Sequence, residues 1–196
     1  MKAEAALLSA FMLLCTTIMS THQPIKPVVG ALVRADFVAA VLLTVLAPLV
    51  LLLRAVRKRQ QALIAALLSY WRVSSLLMVA VYLLIGERRM GFVCGIAARL
   101  LITYTVLRHA SDLDPWYTRW RQIVSGYCLL GVLVNLPVVR CLRSTHYSPL
   151  CQAYIASAQQ FGDVVHSRVE RERLARAGEW GLRAFVAGAV LARLTR

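Results

Sequence analysis

Residues 62–85 read ALIAALLSYWRVSSLLMVAVYLLI, an apolar run broken by a single charge, Arg72. A helix rises about 1.5 Å per residue, so roughly 17–25 such residues cross a ~30 Å hydrocarbon layer. Arg57, Lys58 and Arg59 close the run on one side, and Gly86, Glu87, Arg88 and Arg89 close it on the other. Inside lipid every backbone donor and acceptor must be paired within the chain, which a segment this short achieves only as an α-helix. The stretch therefore predicts a transmembrane helix.

Three neighbouring blocks pass the same length test. Phe37–Leu53 is closed by Asp36 and Arg54, Gly91–Leu107 ends at Arg108, and Ile123–Val139 ends at Arg140. A fifth block, Ala5–Met19, follows Lys2 and precedes the proline-containing stretch Ser20–Pro27. It has the proportions of a signal peptide but no small-x-small cleavage site. Residues 1–20 are thus expected to be a signal-like or first transmembrane segment, ahead of a four-helix transmembrane domain over 33–143. The expected fold is an all-α integral membrane helical bundle with four or five transmembrane helices.

Composition agrees. Of 196 residues, 59% are hydrophobic and 16% charged, against about 25% charged in soluble domains. Lys and Arg number 23 against 9 Asp and Glu, leaving +14, and the mean hydropathy is +0.64. High hydrophobicity excludes disorder. Apolar blocks of this length exclude a soluble nucleic-acid binder, since no core of this size absorbs them. The expected surroundings are a lipid bilayer, not nucleic acid.

Residues 144–196 form a basic tail, expected to be helical. Val164–Gly178, with Arg168, Glu170, Arg171, Glu172, Arg173 and Arg176, reads as a solvated helix. Trp180–Leu191 is apolar but too short to span and is interrupted by Arg183. It suits an amphipathic helix at the headgroup level. Docking on the bundle through Ala184, Gly188 and Ala192 is the competing reading.

Near the span ends, eight basic residues (Lys2, the Arg54–Arg59 cluster, Arg108, Arg119, Arg121) share one face and six share the other. By the positive-inside rule this near-membrane count puts the Arg54–Arg59 loop in the cytoplasm, while counting the seven further basic residues of the tail on the second face favours the reverse. The signal-like first block agrees with the former. Cys141 and Cys151 fall on the exterior side, where a disulfide is permitted. Free thiols are the commoner state of two cysteines in such a loop.

Two arginines break the pattern. Arg72 and Arg99 each lie near the middle of a span, where a guanidinium costs about 2.5–3.5 kcal/mol on insertion scales. All nine acids, at positions 4, 36, 87, 112, 114, 163, 170, 172 and 179, fall outside or at the edges of the apolar blocks. No carboxylate of this chain is an evident partner for either arginine. Snorkelling is one outlet. A carboxylate on a partner membrane protein is another, and a bound anion such as a lipid headgroup is the third.

Pro48 and Pro137 each remove a backbone donor and are expected to be packed around. Asn135 is expected to bond across helices. The loop from Asp112 to Trp120 reads as an interfacial aromatic anchor.

Catalytic constellations are not found. Gly95, Ala98 and Arg99 match part of a membrane phosphotransferase motif whose chemistry needs several carboxylates around two metals. Here Cys94, Arg108 and Trp116 replace the required residues, and only Asp112 falls in place, so the match is rejected. None of His22, His109, His146 and His166 is mid-span, so no haem, other cofactor or metal is expected. The expected role is non-enzymatic: an accessory subunit or assembly factor of a larger membrane complex. The alternative is a small transporter or channel for an anionic solute, using Arg72 and Arg99.

Several stretches taken together carry a family resemblance. They are Val33-Arg34-Ala35-Asp36 leading into Leu42–Leu53, Tyr70-Trp71-Arg72-Val73-Ser74-Ser75-Leu76-Leu77, Val81–Gly86, and Gly91-Phe92-Val93 with Ala98-Arg99. Over about residues 33–143 the chain resembles a family of small uncharacterised multi-span membrane proteins typical of cyanobacteria. The resemblance implies a location, the plasma or thylakoid membrane of a photosynthetic prokaryote, and no activity. Met1–Thr21 and the tail after Ser144 look like departures from it.

Overall fold

The computed structural model describes residues 27–108, 114–142 and 147–194, and those residues contain helices and no strands. The block 1–20, with its signal-or-span alternatives, lies outside them, as do His22, His109, Asp112 and His146. The elements are α1 (Pro27–Val41), a π-helical segment (Leu42–Leu46), α2 (Ala47–Arg57), α3 (Gln61–Ile85), α4 (Met90–Arg108), α5 (Pro115–Asn135), a 3-10 segment (Leu136–Leu142), α6 (Pro149–Val165) and α7 (Arg171–Leu194). Four helical stretches are long and apolar enough to cross a membrane: Val28–Arg57, Gln61–Ile85, Met90–Arg108 and Pro115–Val139.

The first stretch differs from its expected bounds in a way that matters. Asp36 does not close the helix; α1 begins nine residues earlier, at Pro27. A charge ends an apolar run in sequence, but it ends a helix only when the backbone changes course. Asp36 therefore sits inside the bundle's first helix.

The π segment has a traceable cause. Pro48 has no N–H to give, either to Thr44 in α register or to Leu43 in π register. Side chains from other helices cover both carbonyls. The Tyr70 hydroxyl donates to the Thr44 carbonyl at 2.6 Å, and Trp120 Nε1 donates to the Leu43 carbonyl at 2.8 Å. The two rings meet edge to face, 5.0 Å between centroids at 87°. Trp120 and Tyr117 are buried in one core cluster with Leu63, Leu67, Ile102 and Cys128, so they are not interfacial anchors. Trp116, by contrast, is exposed with Arg54 over its ring at 5.3 Å. Asp114 caps α5 by accepting from the Trp116 N–H at 2.8 Å.

Tyr70→Phe and Trp120→Phe each leave a buried carbonyl without its donor. Each should cost about 1–3 kcal/mol, read as a lowered denaturation midpoint in detergent micelles.

The tail is two helices rather than one over 164–178: the chain breaks between Val165 and Arg171. Helix α6 buries Cys151, Tyr154, Ile155 and Ala158 against Val33, Leu84 and Ile85. Helix α7 runs antiparallel along α3. A Cβ at Gly86 would meet Ala175, Gly178 lies against Leu83 and Tyr82, and Gly181 lies against Val79. Leu182 and Phe185 pack on the cluster containing Leu76 and Ala80. From Ala175 to Phe185 that contact extends about 15 Å at the helical rise. Small residues do seat α7 on the bundle, but they are Gly178 and Gly181; Ala184, Gly188 and Ala192 are exposed. Arg183 lies over the Trp180 ring at 5.0 Å, and Arg88 joins Glu172 and Glu179 at 2.8 and 3.1 Å across the α3–α4 turn.

Candidate functional site

Arg99 is a buried charge, with its side chain 9% exposed. It projects from the middle of α4 toward α1, where its Nη2 donates to Asp36 Oδ2 at 2.6 Å. The expectation that no acid of this chain would serve Arg99 is corrected here. With α1 running unbroken past Asp36, the carboxylate is carried into the bundle within reach of α4.

The carboxylate accepts from three side chains. Oδ2 also accepts from the Tyr154 hydroxyl of α6 at 2.9 Å, and Oδ1 accepts from the Tyr127 hydroxyl of α5 at 2.7 Å. Tyr127 in turn accepts from Arg99 Nη2 at 3.3 Å, and its ring lies under the guanidinium at 5.0 Å. Burial and the adjacent Asp36 carboxylate push the Tyr154 hydroxyl well above the usual tyrosine range, so it stays protonated and donating. One ion pair thus joins α1, α4, α5 and α6.

Glycine makes the space. A Cβ at Gly131 of α5 would collide with Arg99 Nη1 and stand 2.6 Å from Cζ. Asn135, one turn on, donates to the Gly131 carbonyl at 2.7 Å, and its side chain also meets the Tyr154 hydroxyl of α6, the cross-helix contact expected of it. Thr103 donates to the Arg99 carbonyl at 3.0 Å. Arg99 Nη1 is buried without a hydrogen-bond partner, and so is Trp71 Nε1 on α3.

Arg72 is placed quite differently. It lies near the midpoint of α3 on the exposed stripe of Ala65, Leu68, Ser75 and Met78. The two arginines are not brought together: Arg99 faces into the bundle and Arg72 faces out. Cys141 and Cys151 are joined as a disulfide with Cα atoms 6.5 Å apart, a separation that such a bond accommodates. Cys94 and Cys128 are buried free thiols. Among the described residues no three His, Cys, Asp or Glu side chains gather as a metal site requires. His166 faces the Tyr82 hydroxyl at 3.0 Å.

Three of the carboxylate's four acceptor positions are taken by donors of this chain. The cluster's evident chemistry is cohesion and charge neutralisation, with one guanidinium edge left over. Tyr127, Tyr154 and Gly131 were not singled out from the sequence. A signal for Tyr127 existed, since a tyrosine within an apolar span needs a partner for its hydroxyl.

Residues 30–196 match the family described as "Protein of unknown function (DUF3177)", and the chain belongs to that family. The match runs through the tail, so the residues after Ser144 belong to it rather than departing from it. No curated protein and no solved structure matches the chain.

Proposed function

We propose that this member of the family is a non-enzymatic membrane protein that acts by binding, as an accessory subunit or assembly factor of a larger complex. The observation that carries the reading is Arg72. Its guanidinium is exposed at mid-span, and no partner for it lies among the described residues. Arg99 shows how this chain treats a buried cation: it surrounds it with a carboxylate and tyrosines. An outward guanidinium at the same depth calls for equivalent company from outside, and a carboxylate on a partner's helix supplies it at least cost. Ala65 and Ser75 on the same stripe are small residues, which let a second helix approach beside Arg72.

The anionic-solute reading needs both arginines on one path. Arg99 faces into the bundle and is already neutralised by Asp36, whereas Arg72 is exposed, so the binding reading is the better supported.

The test is a photo-crosslinker at Leu68 with Arg72→Leu and Arg72→Asp variants, in the native membrane extracted in mild detergent. The expected result is one crosslinked membrane protein, lost on either substitution at unchanged insertion. Replacing the contacted acid of that partner by arginine should restore the crosslink to the Arg72→Asp chain. Crosslinks to lipid alone, or a crosslinked partner indifferent to both substitutions, would overturn the proposal.

A further inference from the structure

The two ends of the bundle treat their basic residues differently. At the Gly86 end arginines are answered within the chain: Arg88 joins Glu172 and Glu179, Arg171 joins Asp163 at 2.9 Å, and Arg173 joins Glu170 at 3.3 Å. The other end gathers the α2–α3 turn, the close of α4 and the first turns of α5. It carries Arg54, the Arg57–Arg59 run, Arg108, Arg119 and Arg121. Asp114 is the one acid there among the described residues, and it is 7% exposed and engaged as the α5 cap. That end has a large excess of positive charge.

One seam on it combines charge, an aromatic ring and an apolar flank. Arg54 of α2 lies over the ring of Trp116 of α5 at 5.3 Å. Lys58 follows Arg54 by four residues and Arg119 follows Trp116 by three, spacings that place each on its neighbour's face of the helix. Trp116, Lys58 and Arg119 are exposed, and Arg54 is partly so. Deeper along the same two helices the exposed side chains are apolar. Val50 lies one turn below Arg54 and Ile123 about two turns below Trp116. Both belong to stretches apolar enough to span a membrane.

Charge and depth together choose the occupant. Guanidinium groups hold phosphate oxygens through charge-assisted hydrogen bonds, and an exposed tryptophan at a span end sits at headgroup level. Basic clusters beside span ends draw anionic lipid. A zwitterionic headgroup brings its own ammonium into the same positive surroundings, and a free anion leaves the apolar flank unmatched. A molecule with a negative head and hydrocarbon beneath it fits both.

We infer that the α2–α5 seam binds an anionic phospholipid, its phosphate held by Arg54 and Arg119 beside Trp116 and its chains along Val50 and Ile123. The inference is independent of the partner proposed for Arg72, which faces outward from α3 at mid-span.

Trp116 is also the reporter. The full chain is reconstituted in phosphatidylcholine vesicles doped with phosphatidylglycerol brominated in its chains, and in matched vesicles doped with equally brominated phosphatidylcholine. Trp71, Trp120 and Trp180 contribute background, so the Trp116 signal is the difference between the wild type and Trp116→Phe. The expected result is saturable quenching by the anionic probe, at a mole fraction about tenfold below that needed for the zwitterionic one, the preference that one or two basic groups at a membrane surface supply. Arg54→Gln and Arg119→Gln should each remove most of this preference, while Arg108→Gln, at the same end but on α4, should leave it. Arg119 is exposed, so its variant carries the test should Arg54→Gln fail to fold. Glycerol phosphate added to the water should not compete. Equal quenching by the two probes, quenching that only rises in proportion to bromine content, a preference that survives Arg119→Gln, an equal loss with Arg108→Gln, or competition by glycerol phosphate would each overturn the inference.

Discussion

Asp36→Asn should cost about 3–5 kcal/mol of stability, the usual consequence of leaving one member of a buried pair unmatched. The substitution nearly preserves shape. An asparagine oxygen can still accept from a tyrosine, so packing and part of the hydrogen bonding survive while the charge is lost. What remains is the Arg99 guanidinium in surroundings that admit little water, its side chain 9% exposed. The mirror substitution, Arg99→Met, leaves the carboxylate to Tyr127 and Tyr154 alone. It should be damaging to a comparable degree. Native stabilities are about 5–15 kcal/mol in total, so either single variant should accumulate poorly and melt at a markedly lower temperature in detergent. Thermal unfolding followed by tryptophan fluorescence measures both.

Gly131→Val should be as harmful, for a steric rather than a Coulombic reason. The added Cβ occupies the place of the Arg99 guanidinium, with Cζ only 2.6 Å away. The arginine cannot yield without leaving Asp36 and the face of Tyr127, so overpacking of about 1–3 kcal/mol adds to the loss of the pair. Gly126 is the control on the same helix, since nothing lies within 4 Å of a Cβ built there. Gly126→Ala should be neutral or stabilising by up to about 1 kcal/mol, the difference in helix propensity. The same melting experiment separates the two glycines, and equal effects would mean that Gly131 is not a socket for Arg99.

Much of the bundle was legible in the sequence, because apolar length is a direct consequence of bilayer thickness. The runs around Arg72 and Arg99 each form a helix within a residue of where hydropathy places it, whereas the one reaching Pro137 begins at Pro115 rather than Ile123. Asp36 was misplaced by the same reasoning. Hydropathy alone stops a span at its first charge, whereas α1 carries that charge inside. Once Asp36 was set at an edge, Arg99 was bound to look unpartnered. The two arginines also looked equivalent, since composition records depth along a helix but not the direction faced; only packing separates the inward Arg99 from the outward Arg72. The aromatic stretch Trp116–Trp120 failed for a related reason. An interfacial tryptophan and a buried one have the same letter, and what holds Trp120 inside is the carbonyl of Leu43, 77 residues away in the chain and left open by Pro48. The seating of α7 depends on which glycines face α3: Gly178 ends a segment whose charges point toward solvent, and Gly181 lies in the apolar one that follows.

A double-mutant cycle on Asp36 and Arg99, with Asp36→Asn, Arg99→Met and the two combined, tests most directly whether this chain neutralises its own buried cation. The pair predicts that the double variant is far less damaged than the two single losses summed, with a coupling of about 2–3 kcal/mol. Losses that add to within about 0.5 kcal/mol, as for sites that do not touch, would contradict it.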